Sequence, residues 1–175
     1  MSFFVREITR DDIKAINTWR NNREIIDSLG SPFRYVNEET DINWFNNYLA
    51  NRANTVRLAI CEMHNDNLIG ACYLLGIDWI NRSAEFAIWI GVKSSHGKGA
   101  GFFAAKEVLS HAFNDLNLNR VHLTVLSTNQ PAINLYKKVG FIEEGRLRGS
   151  TFKNGCYKDM LQMSILADEF LKLQK

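Results

Sequence analysis

The sequence predicts an α+β fold, a mixed central sheet of about seven strands flanked by about four helices. Three observations carry it. A strand-like run, Ala84 to Val92, is followed by a glycine hinge and then by a helix-like run ending near Leu116. Ahead of it, two strand-like runs are joined by turn formers, and after it Asn154-Gly155 marks a closing hairpin. With 175 residues and no repeat, low-complexity tract or linker, one domain covering 1–175 is expected, large enough to bury its own core.

In the central run, period-two alternation puts Phe86, Ile88, Ile90 and Val92 on one face and Glu85, Ala87, Trp89 and Gly91 on the other. A strand apolar on both sides belongs inside a sheet. Beyond the hinge, Phe102, Ala105, Leu109, Ala112, Phe113 and Leu116 recur at helical spacing, which defines an amphipathic helix. Between the two, Gly97, Gly99 and Gly101 alternate with His96, Lys98 and Ala100. Residues without Cβ let the backbone approach a ligand, and the first N–H groups of a helix lack internal partners, so an anion fits there.

The rest follows in chain order. Phe3 to Ile8 reads as the first strand, and Thr9 with Asp11 and Asp12 caps a helix carrying Ile13, Ile16 and Trp19. The segment from Trp19 to Tyr35 loses its period near Gly30 and Pro32 and reads as a loop. A second helix begins at Glu38 to Asp41, with Ile42, Phe45, Tyr48 and Leu49 on one face. Trp19, Trp44 and Phe45 suit either core packing or a substrate lining. VRLAICE and LIGACYLLGID form a hairpin across Asn65-Asp66-Asn67, so strands two, three and four make an antiparallel meander. NRVHLTVLS is a fifth strand. Asn129 then caps a short helix with Pro131 in its first turn and Gly140 at its end. FIEEGRLRGS and CYKDMLQMSIL pair across Asn154-Gly155, and the final residues fray or form a short helix.

Composition narrows the function. Lysine plus arginine is 21 against 19 acids, a net charge of +2 with no basic block to track a phosphate backbone, so nucleic acid is not the expected partner. The N-terminus turns polar too soon for a signal peptide and no apolar run spans a bilayer, which makes the cytoplasm the expected location and a membrane no partner. Cys61, Cys72 and Cys156 are well separated, and His64, His96, His111 and His122 do not cluster, so reduced thiols and no metal are expected.

Three phosphate-loop patterns compete for the glycine hinge. No GxxxxGK[ST] string occurs, and the GxGxxG fingerprint fails because the sixth position is Phe102 or Ala104. What remains, His96 to Gly101, resembles the acetyl-CoA loop (Q/R)-x-x-G-x-(G/A) of the GCN5-related N-acetyltransferases, with His in the first place. A neutral His offers a single N–H donor there. Asn129-Gln-Pro-Ala132-Ile-Asn134-Leu-Tyr136-Lys-Lys-Val-Gly140-Phe141 resembles the same family's N-x-x-A-x-x-L-Y-x-x-x-G-F string at every fixed place. From Leu68 to about Ile165 the likeness is nearest the branch of spermidine and ribosomal-protein acetyltransferases.

This resemblance implies a sheet splayed between strands four and five, with acetyl-CoA as co-substrate in the gap and the two early helices as a roof over the acceptor. It implies an acyltransferase acting by direct transfer to a primary amine of a small molecule, of the polyamine or aminosugar class. The N-terminus of a protein, a ribosomal one included, is the alternative in the same class, and a non-catalytic acyl-CoA-binding module the alternative in another. The backbone of Ile90, Gly91 and Val92 would hold the pantetheine arm, and His96, Gly97, Lys98, Gly99, Ala100, Gly101 and Phe102 the pyrophosphate, with Asn129 and Asn134 flanking the arm. Tyr136 would protonate the leaving thiolate, since a phenol is a donor at neutral pH; packing beside Leu135 is its other reading. Glu85 would take the amine's proton, directly or through water, or else pair with Arg82 or another nearby base as a structural ion pair. A backbone N–H of the central strand would hold the developing oxyanion. The polyamine branch carries acids between its first two helices, whereas SLGSPFRY here has Arg34 and no carboxylate before Glu38 and Glu39. Exposed aromatics are compatible with a homodimer.

Overall fold

A computed structural model describes residues 2–174. One seven-stranded sheet runs through it in the order β1-β2-β3-β4-β5-β7-β6. The strands are β1 (Phe3–Glu7), β2 (Val56–Glu62), β3 (Leu68–Asp78), β4 (Ser83–Ile90), β5 (Arg120–Leu126), β6 (Ile142–Lys153) and β7 (Cys156–Leu166). The expected meander β2-β3-β4 is antiparallel throughout, and β4–β5 is the parallel pair.

That parallel pair positions the site. It holds only at Ser83 with Arg120, Ala84 with Val121 and Glu85 with His122, after which β4 and β5 part. The expected splay is therefore present, and β4 from Ala87 onward is only half-buried because it borders a gap.

Helices cover both faces. α4 (Ala100–Ser110) and α5 (Gln130–Val139) lie on the face of Phe86, Ile88, Val121 and Leu123, where Val108, Leu109, Tyr136 and Met163 complete the larger core. α1 (Ile13–Arg20) and α3 (Glu38–Ala50) roof the other face, packing Ile13, Ile16, Trp19, Phe45 and Tyr48 on Ala59 and Cys61. Trp19 and Phe45 are thus core residues, whereas Leu49, placed with them by periodicity, lies exposed. Two further short helices appear. α2 (Arg23–Asp27), capped by Asn22 accepting from the Glu24 N–H at 3.0 Å, interrupts the expected loop, and α6 (Ala167–Lys172) follows β7. α4 runs on through a π-helical turn, His111–Asp115.

The caps act as anticipated. Asn129 accepts from the Ala132 N–H at 3.2 Å, Pro131 sits in the first turn of α5, and β6 and β7 join through Asn154 and Gly155 alone. Asp12 accepts from the Thr9 N–H at 2.7 Å and receives Arg6 at 2.7 and 2.8 Å, tying β1 to α1. Burial alone would raise that carboxyl, but these donors hold it below the usual carboxylate range.

Candidate active site

Where β4 and β5 part, a cleft of about 1500 Å³ opens through the sheet. Its walls include Glu85 to Gly91, the hinge from His96 to Phe102 apart from Lys98, the start of α5 and the loop after α2. Of the residues singled out in the sequence, Glu85, Tyr136, Ile90, Gly91, His96, Gly97, Gly99, Ala100, Gly101, Phe102 and Asn129 line it. Val92, Lys98 and Asn134 stand outside the lining; Asn134 instead accepts from Gln130 at 2.8 Å along the outside of α5.

The hinge has the geometry of an anion cradle. Gly97 and Gly99 take φ of +72° and +92°, and a Cβ built on either meets nothing within 4 Å. Such a backbone turns successive N–H groups inward, and only glycine takes it without strain. Among the described residues the N–H groups of Ala100, Gly101 and Phe102 have no backbone partner, the first intrahelical bond being Phe103 to the Gly99 carbonyl at 3.0 Å. Two lysines not signalled by any motif stand nearby, Lys138 at 4.8 Å and Lys106 at 5.9 Å from the Phe102 ring centre. The open cradle, its orphan donors and these cations fit a coenzyme A diphosphate.

The Nε2 of His96 lies 3.0 Å from the Ile90 carbonyl, so that ring N–H donates into the end of β4. The backbone of the next two residues is also engaged. The N–H groups of Gly91 and Val92 both donate to Ile69, at 2.8 and 3.2 Å, and the Val92 carbonyl accepts from Ser95. Among the described residues the Gly91 carbonyl accepts from nothing, leaving it open to an amide N–H.

Tyr136 and Glu85 flank β4 from opposite faces. Tyr136 is 7% exposed, edge-on to Phe86 and Phe141 at 6.3 and 5.8 Å, and burial pushes its phenol up to about 12. It therefore stays protonated across the neutral range, as a proton donor must. Glu85 is exposed on the roof side. The ion pair with Arg82 does not form: Arg82, at φ +53°, turns to Asn117 with bonds of 2.7 and 2.8 Å. Across the strand pair Glu85 faces His122, whose Nδ1 is buried without a hydrogen-bond partner.

The roof side carries more cation than acid. Arg57 stands over Trp44 and Tyr73, at 4.5 and 5.0 Å, and its Nε is buried and unpartnered. Desolvation lowers its pKa. Arg20 pairs with the fully buried Asp41, and Glu24 with Lys93 at 3.2 Å. Arg34 adds another cation to the lining.

A parallel strand pair that opens beyond its third rung, with an anion cradle at one end and a buried phenol beside it, defines a coenzyme-A-dependent acyltransferase. Sequence comparison agrees, because residues 3–142 match the acetyltransferase (GNAT) domain family. The chain belongs to that family and is an N-acetyltransferase, in the branch of spermidine and ribosomal-protein enzymes. It is 34% identical to the spermidine N(1)-acetyltransferase of Vibrio cholerae over 168 residues, 95% of this chain and 94% of the relative. It is also 28% identical to the Escherichia coli K12 enzyme of the same description, over 98% of this chain and 89% of that one. Against the crystal structure of the Vibrio cholerae spermidine N-acetyltransferase in complex with CoA and spermine, the TM-score is 0.89 at 31% identity, covering 97% of this chain and 98% of that one.

Proposed function

We propose that this protein moves an acetyl group from acetyl-CoA directly to a primary amine of a small molecule, of the polyamine or aminosugar class. The observation that carries the reading is the parting of β4 from β5 beyond Glu85, because it joins the face holding Tyr136 to the face holding Glu85. Acetyl-CoA, as co-substrate, supplies the activated thioester. The neutral amine forms the new C–N bond at the carbonyl carbon from the roof side, and the C–S bond breaks. Tyr136 gives its proton to the departing sulfur from below, and the proton lost by the ammonium passes to Glu85 or water above. Holding both reactants in one slot converts a bimolecular encounter into an effectively intramolecular step.

Two observations bear on the acceptor. Likeness to spermidine acetyltransferases over nearly the whole chain supports the polyamine class. The cation-rich roof, where among the described residues Arg57 has no carboxylate partner and Glu85 is the cleft-lining acid outside an ion pair, supports the aminosugar class, whose rings and hydroxyls suit Trp44 and Tyr73. A peptide N-terminus, the alternative in the same class, would need an open groove and not a closed pocket beside Tyr136. Self-association is supported by a dodecameric spermidine N-acetyltransferase from Vibrio cholerae with TM-score 0.85. Among the described residues no helix is long and apolar enough to cross a membrane.

An amine panel with acetyl-CoA and thiol detection tests the reading. Turnover with a polyamine or an aminosugar is the expected result and separates the two classes. Activity confined to peptides would move the function to N-terminal acetylation, and no turnover with any amine would leave an acyl-CoA-binding module.

A further inference from the structure

The loop that follows α2 forms part of the cleft wall and is held there by side chains from distant parts of the chain. Ser28 to Pro32 line the cleft. Asn129, capping α5, donates its Nδ2–H to the Ser28 carbonyl at 2.8 Å. From β6, Thr151 Oγ1 donates to the Gly30 carbonyl at 3.0 Å, and Lys153 Nζ donates to the carbonyls of Ile26 and Ser31 at 2.7 and 2.6 Å. Each of these bonds runs from a side chain to a backbone carbonyl, three of them in the loop and one, that of Ile26, in the last turn of α2, so partners elsewhere in the chain fix the loop's path. Gly30 also sits so close to β7 that a Cβ there would lie 2.6 Å from Met160 Cε.

Lys153 is the unusual member. It is 5% exposed and, among the described residues, pairs with no carboxylate. Burial lowers its pKa, and Asp27 on α2 opposes that. A buried cation is costly unless its protons are all used well, and two of its three donors are used on the segment that walls the cleft. Methionine has nearly the same length and would fill the space at no desolvation cost. What lysine adds is a fixed position for residues 26–31.

We infer that Lys153 is a positioning residue for the acceptor: from the β6–β7 hairpin it clamps the loop after α2 in the place where the incoming amine meets its wall. The inference rests on the reading of this cleft as an N-acetyltransferase site. It concerns the amine side alone, since the diphosphate cradle lies on the hinge before α4.

The test takes the amine that the wild-type protein acetylates best. In Lys153→Met the KM for that amine rises about tenfold or more, while the Kd for CoA stays within twofold of wild type. Hydrogen exchange of residues 26–34 quickens, and that of α4 does not. Lys153→Arg, which keeps donors and charge, recovers at least part of the KM. Thr151→Val, a milder change that removes only the bond to Gly30, shifts amine KM in the same direction by a smaller factor and keeps the test open if Lys153→Met fails to fold. Unchanged amine KM in both Lys153→Met and Thr151→Val, or equal losses of amine and CoA binding, overturns the clamp. A wild-type protein that binds CoA but acetylates no amine overturns the underlying reading instead, and the two failures are told apart by the wild-type assay.

Discussion

Tyr136 both packs in the larger core and lines the cleft, and the part proposed for it is that of the acid. Its ring is fixed by Phe86 and Phe141, and burial keeps the phenol protonated far above neutral pH. A residue that only filled space could lose its oxygen without consequence. Tyr136→Phe keeps the ring contacts and removes the donor, so kcat should fall about 100-fold, the lower end of what a positioned acid contributes. CoA binding, measured by calorimetry, should be preserved. Full turnover in Tyr136→Phe would make the residue a packing element and shift thiolate protonation to water. Glu85 differs in being exposed, and its counterpart His122 was invisible in the sequence, because strands separated by Ser83 to Arg120 become neighbours only when the sheet forms.

At the scale of elements, what could be read from the sequence was what is local. The strand-hinge-helix unit, the cap at Asn129 and the hairpin at Asn154-Gly155 each depend on residues a few positions apart, and each formed as anticipated. α2 was missed because REIID is a single turn, too short to show a period. Of the two readings of Glu85, the pair with Arg82 does not form: Arg82, at positive φ, bonds to Asn117 instead. The Lys153 clamp was beyond reach, since it joins segments more than a hundred positions apart. The hinge yields a prediction at this scale. An arginine at Gly99 must adopt φ +92° and would fill the cradle, and one at Gly101 would also press on Leu135, whose Cδ2 lies 3.2 Å from a built Cβ. Hydrogen bonds to a charged group contribute about 1.5–3 kcal/mol each. Gly99→Arg or Gly101→Arg should therefore weaken CoA binding about 10- to 100-fold by calorimetry, and unchanged affinity would place the diphosphate elsewhere.

The whole molecule has two hydrophobic cores, one on each face of a single sheet, and the cleft runs between them. Val92, just past the end of β4, packs against both. Beside it Gly91 decides how closely the roof can sit. A Cβ there would lie 2.0 Å from Cδ2 and 2.1 Å from Cε2 of Trp19, a ring set edge-on to Trp89 at 5.7 Å. Neither ring can yield freely, so Gly91→Ala must push α1 away from the sheet. Overpacking of this kind costs about 1–3 kcal/mol. For a chain of this size each kcal/mol lowers Tm by roughly 2–4 °C, so a loss of several degrees is expected. Gly145→Ala is the control, because a Cβ on Gly145 meets nothing within 4 Å and its Tm should not move. Unfolding should remain one transition in both variants, since both cores draw residues from β1, β2, β3 and β4. Amine KM should rise in Gly91→Ala as the roof lifts. Equal Tm values for the two variants would mean that Trp19 does not seat the roof on β4.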